Sequence, residues 1–132
     1  MRILGIDYGS KSIGLALGVG EVVSPLASIP NNIDTLNAIS KIVAGERIDV
    51  IAIGAPLISG KKTPAAESVA QFGEKLIRNV PDGVKIEYVD EFGTSVESVD
   101  VMVKSGVSQK RRKDDHSVAA SQIVLRYLEG LE

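Results

Sequence analysis

Apolar residues along this chain fall into short runs divided by turn-forming residues, and two spacings alternate between them. Residues 2–7 (RILGID) are an apolar run ending in an acid, residues 12–18 (SIGLALG) alternate small and apolar positions, and residues 22–29 (VVSPLASI) form a third extended run. Links of hairpin length join the three, which predicts an antiparallel meander. Pro25 has no N–H to give to a ladder, so the third run belongs at a sheet edge or a bulge. The period then lengthens. Ile33, Leu36, Ile39 and Val43 follow helical spacing, with Asn32 or Asp34 placed to cap the helix and Gly45 placed to end it. Residues 49–53 (DVIAI) read as a fully buried strand. A helix is expected over residues 63–78, with Pro64 in its first turn and Val69, Phe72, Leu76 and Ile77 facing inward. Residues 84–89 (VKIEYV) alternate as a strand, and residues 94–104 and about 115–129 read as two more helices. Val124, Leu125 and Leu128 form the core stripe of the last one.

This order predicts an α/β fold: a mixed five-stranded sheet, three antiparallel strands followed by parallel ones, flanked by helices. The 132 residues suit a single domain over residues 1–132. With 44% hydrophobic and 24% charged residues the chain is ordinary for a globular protein and unlike a disordered one. No apolar run approaches the ~20 residues of a membrane span, and the first residues carry no signal-peptide pattern. The expectation is a soluble cytoplasmic protein without a membrane partner.

Composition removes whole chemistries. With no cysteine there is no disulfide, thiolate nucleophile or cysteine-based zinc site, and a single histidine cannot build a multi-histidine metal site. The net charge is −2, but positive charge is unevenly spread: Lys104, Lys110, Arg111, Arg112 and Lys113 fall within ten residues. Such a cluster suits a nucleic-acid backbone even on an acidic chain. With three tyrosines, two phenylalanines and no tryptophan, stacking on bases cannot be a repeated device.

Acids stand where a parallel-rich sheet places a site. Asp7 closes the first apolar run, Glu91 follows the strand IEYVD, and Asp114-Asp115 open the last helix. Carboxylates gathered together repel unless a cation neutralises them, and hard oxygen donors suit Mg²⁺ or Mn²⁺. Two such ions could activate a water and stabilise the leaving oxygen of a phosphodiester. Acids at strand ends and helix starts are also common as solvated caps. Asp7 stands out because it ends an apolar strand and is flanked by Gly5, Gly9 and Gly14.

At these residues the chain resembles a known family. MRILGIDYGSKSIGLAL is similar to the opening of the YqgF family, described as pre-16S ribosomal RNA nucleases and earlier as Holliday junction resolvases, with the ribonuclease H-like fold of RuvC-type resolvases. IAIGAPLISG resembles its strand-and-loop segment, VDEFGTS its second acidic motif, and SQKRRK with HSVAASQIVLRYLEG its basic loop and terminal helix. The resemblance implies an endonuclease that processes the 5′ end of precursor 16S rRNA, acting on structured RNA or, in the alternative, on branched DNA.

Carried over by position, the resemblance implies catalytic, metal-holding roles for Asp7 and Glu91. The third catalytic position falls without gaps on His116, where the family usually has aspartate. Asp115 stands one residue earlier, about 100° around a helix. Either His116 replaces the aspartate, or Asp115 reaches the metals; both are expected to line the site, with Asp115 as the metal ligand. Lys11, Lys110, Arg111, Arg112 and Lys113 are the expected nucleic-acid contacts. Phe92-Gly93 and Leu57-Ile58-Ser59 stand where the family usually has arginine, leucine and asparagine, which leaves a catalytically degenerate binding module as another reading. IDYGSKSIG also resembles the first phosphate loop of actin-like and sugar-kinase ATPases, a two-lobed class for which this chain has the length of one lobe. A junction resolvase would need a two-fold homodimer, whereas an RNA-end processor could act as a monomer.

Overall fold

The computed structural model describes residues 1–55, 64–90 and 115–130. Five strands form one sheet: β1 (Arg2–Tyr8), β2 (Ser12–Val19), β3 (Val22–Pro30), β4 (Val50–Ala55) and β5 (Lys85–Asp90), in the order β3-β2-β1-β4-β5. β1–β2 and β2–β3 pair antiparallel, while β1–β4 and β4–β5 pair parallel. The meander followed by parallel strands is the arrangement that the apolar runs predict. The described helices are α1 (Thr35–Gly45), α2 (Pro64–Ile77) and α3 (Asp115–Gly130). The helix expected over residues 94–104 lies outside the described residues.

Strand alternation splits the core into two layers. Leu4, Ile6, Ile13, Leu15, Ile51 and Ile53 face one side and pack with Ile39 and Val43 of α1 and with Val69, Phe72 and Leu76 of α2. Ile3, Ala16, Val50 and Ala52 face the other side and pack with Ala120, Ile123 and Val124 of α3. β4 is buried along its whole length, as a central strand covered on both faces must be. β3 is an edge strand, as Pro25 requires. Its register against β2 shifts between Ile13 and Leu15, so it carries the bulge as well. Gly20 turns the two-residue β2–β3 hairpin at φ 61°, a conformation that suits a right-twisted pair of strands.

Four local expectations change. Ile33 precedes α1 and is 97% exposed, because Asn32 and Thr35 bind each other across it: the Asn32 N–H donates to Thr35 Oγ1, and the Asp34 N–H donates to Asn32 Oδ1. Thr35 Oγ1 also donates to the Pro30 carbonyl, so the chain turns before the helical spacing begins to matter. Gly45 does not stop α1. Arg47 does, at φ 53°, with Ile48 N–H bonded to the Val43 carbonyl and Arg47 N–H to that of Ala44. This is a Schellman end with Ile48 buried behind it. Ile77 is 44% exposed, since Leu76 already fills the inward position of the last turn of α2. In α3, Ile123 and Val124 face the sheet, and Leu125, a further 100° round, is only half-buried.

The exposed Arg47 pays a left-handed backbone cost that glycine would not. Arg47→Gly should therefore stabilise the protein by about 0.5–1 kcal/mol, net of the extra freedom glycine gives the unfolded chain. Urea unfolding of the two proteins checks it; equal midpoints would contradict it.

Candidate active site at the end of β1

β1 presents Ile3, Gly5 and Asp7 to α3 and Leu4, Ile6 and Tyr8 to the opposite side. Asp7 is half-buried near the carboxyl end of the strand. Its partner across β2 is Gly14. On the other side, Gly54 of β4 follows the Ile6–Ile53 pair by one residue. Neither flanking position has a side chain.

Two glycines decide where α3 lies. A β-carbon at Gly5 would stand 2.6 Å from the Ala120 carbonyl oxygen and closer still to a Val124 methyl, and one at Gly18 would stand 2.8 Å from the other Val124 methyl. The helix therefore rests directly on the backbones of β1 and β2. Its direction follows from these contacts. Val124 lies at the level of Gly18 and its partner Ile3, Ala120 at Gly5, and Ser117 donates to the Leu26 carbonyl, a residue paired through Leu15 to the level of Ile6. α3 thus runs antiparallel to β1, and its first turn, with Asp115 and His116, arrives at the end of the sheet that carries Asp7.

The β1–β2 turn beside Asp7 is pinned. The Asn31 side chain donates to the Gly9 carbonyl at 2.8 Å, and the Asn31 N–H donates to that of Lys11 at 3.0 Å. Lys11 is exposed on this turn. The fixing role of Asn31 depends on a hairpin 22 residues earlier and has no local signal in the sequence.

The remaining expected residues divide plainly. Glu91, Lys110, Arg111, Arg112 and Lys113 lie outside the described residues. Asp90, the neighbour of Glu91, ends β5 opposite Ala55 and so belongs to the side of the sheet away from Asp7. Among the described residues there is no cluster of three metal-ligating side chains. One phenol is perturbed: burial, and then the charge of Glu74, push the Tyr88 hydroxyl above its ordinary value. It lies against Gly73 of α2, on the same side as Asp90. Among the described residues no helix is long and apolar enough to cross a membrane.

With this geometry in place, three comparisons bear on the chain. The profile of the RuvX family, described as Holliday junction resolvase, matches residues 1–130. The chain belongs to the RuvX family. A relative from Sulfurihydrogenibium sp. (strain YO3AOP1), named "Putative pre-16S rRNA nuclease", is 32% identical over 98% of this chain and 91% of its own. RuvX is a nuclease family, whose members are hydrolases of phosphodiester bonds. Two solved structures show the same fold. Fowlpox virus resolvase with Holliday junction DNA has a TM-score of 0.62 at 16% identity, covering 99% of both chains. RuvC from T. thermophilus with a junction substrate has 0.62 at 12% identity, covering 98% of this chain and 95% of that one. The fold is therefore RuvC-like and ribonuclease H-like, as the resemblance implies.

The residues at the end of β1 suit a hard divalent cation. A carboxylate stands between two positions without side chains, Asp115 is delivered to the same end of the sheet, and no thiolate is present to favour a softer metal.

Proposed function

We propose that this RuvX-family chain is a metal-dependent endonuclease that processes the 5′ end of precursor 16S rRNA. The observation that carries the proposal is the seating of α3 on Gly5 and Gly18, which brings the first turn of α3 to the sheet end where Asp7 stands. The curated relative named for precursor 16S rRNA supports RNA as the substrate. Asp7, Glu91 and Asp115 would hold Mg²⁺ or Mn²⁺, in a pair of ions. Bound there, the ions supply Lewis-acid activation of water and neutralise charge on the leaving oxygen. The chain's own groups do the rest. Asp7 orients the site from a rigid strand. His116, in the first turn of the helix, would exchange a proton with the attacking water or the leaving group. Lys11, on the pinned turn, and Lys110, Arg111, Arg112 and Lys113 would neutralise backbone phosphates without reading bases.

The family profile's own description makes branched DNA the second substrate to test. Labelled precursor 16S rRNA and a four-way DNA junction, incubated side by side with Mg²⁺ and with Mn²⁺, separate the readings. Cutting of the RNA alone is expected. Cutting of the junction alone would transfer the proposal to DNA, and binding without cutting of either would leave a degenerate module. Replacing Arg111 and Arg112 together by alanine should lower the slope of log affinity against log salt by about 1–2, the release of one or two counterions. An unchanged slope would place that segment off the substrate.

A further inference from the structure

A groove of about 220 Å³ opens on the side of the sheet away from Asp7, between the end of β1, the turn that follows β3, and α2. Its lining includes an aromatic pair: the rings of the half-buried Tyr8 and the buried Phe72 lie 4.6 Å apart, inclined by 37°. Its lining also includes Asn31, Asn32, Gln71 and Lys75. The Asn31 amide gives one N–H to the Gly9 carbonyl and Asn32 Oδ1 accepts from the Asp34 N–H, which leaves the other Asn31 N–H and Oδ1, the Asn32 NH₂ and the whole Gln71 carboxamide for a ligand. Among the described residues the lining includes one cation, Lys75, and no carboxylate. Gln71 and Lys75 are exposed, and neither side chain has a partner among the described residues.

An aromatic surface offers stacking to a planar ring, and carboxamides both donate to and accept from the edge of a nucleobase. A lone cation in the lining suits one phosphate. The volume fits a base, not a duplex. Position adds a further argument. Tyr8 follows Asp7 directly, and the two side chains leave β1 on opposite faces. A strand whose phosphate lies at Asp7 reaches Tyr8 by crossing the β1–β2 turn. Asn31 holds that turn and also lines the groove.

We propose that this groove binds an unpaired nucleobase of the single strand flanking the cleaved phosphate, stacked on Tyr8 and edge-bonded by Asn31, Asn32 and Gln71, with its phosphate on Lys75. The flanking role rests on the nuclease reading; the base site itself does not. It gives the enzyme a preference for substrates whose strand is unpaired beside the cut.

The test is a metal-free titration of the ¹⁵N-labelled protein with the trinucleotide UpUpU, read on the side-chain amide signals of Asn31, Asn32 and Gln71, with inorganic phosphate as a parallel arm. The three amides are expected to move together with the trinucleotide and not with phosphate. The Gln71→Ala/Lys75→Glu variant, altered only at exposed positions, should weaken that binding roughly fivefold or more. Asp7→Asn should titrate like the parent. Amides that stay still, that respond equally to phosphate, or that titrate unchanged at Asn31 and Asn32 in the double variant would overturn the proposal. Loss of cutting in Asp7→Asn with still amides sinks the groove alone; moving amides in a protein that cuts nothing sink the nuclease reading alone.

Discussion

Gly5→Ala should destabilise this protein by about 2–3 kcal/mol, although it adds one methyl group and alanine suits a folded chain better than glycine. The added carbon would stand 2.6 Å from the Ala120 carbonyl oxygen, a backbone atom that cannot rotate aside, and would also press on Val124. Overpacking a filled core costs about 1–3 kcal/mol, and here the whole of α3 must shift to relieve it. Gly45→Ala is the matched control. Gly45 is the last residue of α1, with nothing within 4 Å of the new carbon, so the same change should stabilise by about 0.5–1 kcal/mol. With melting shifts of about 3–5 °C per kcal/mol at this size, the two variants should move to opposite sides of the parent. Calorimetry that finds Gly5→Ala at or above the parent would mean α3 is not seated on β1 as described. Because α3 carries Asp115 and His116 toward Asp7, Gly5→Ala should also lose nuclease activity before it loses its secondary structure.

Asp7→Asn should lower the cleavage rate by about 10³-fold or more while moving the melting temperature by only a few degrees. Asparagine keeps the volume and loses the charge. The half-buried position, between Gly14 and Gly54, needs no repacking. On the proposed reading, in which Asp7 holds the cation, losing its charge removes several kcal/mol of stabilisation for the developing negative charge, and each 1.4 kcal/mol is about tenfold in rate. Single-turnover cleavage with excess enzyme separates this loss from weaker substrate binding. A variant that binds RNA normally and cuts at the parental rate would remove Asp7 from the chemistry.

The five strands were legible because each is a short apolar run bounded by turn residues, and Pro25 marked the edge strand by removing a donor. The place of Asp7 was legible for the same reason: an acid in an apolar run is conspicuous, and it stands half-buried near the end of β1. What stayed hidden depends on contacts between distant segments. Ile33 fits a helical period by spacing, yet the Asn32–Thr35 hydrogen bond turns the chain and leaves it in solvent. Gly45 looked like the stop of α1, but the buried Ile48 draws the left-handed residue to Arg47. Gly5 and Gly18 read as small residues in strands; that both make room for one side chain, Val124, shows only once α3 is docked. The groove draws its lining from β1, the turn after β3, α1 and α2, so no local motif announces it.

The proposal that Asp7 acts through a divalent cation is tested most directly by cleavage of 5′-labelled precursor 16S rRNA by the parent and by Asp7→Asn, each with Mg²⁺ and with chelator. The parent should cut only with the cation present, and Asp7→Asn should cut under neither condition. Cutting by the parent in chelator, or by Asp7→Asn at the parental rate, would contradict it.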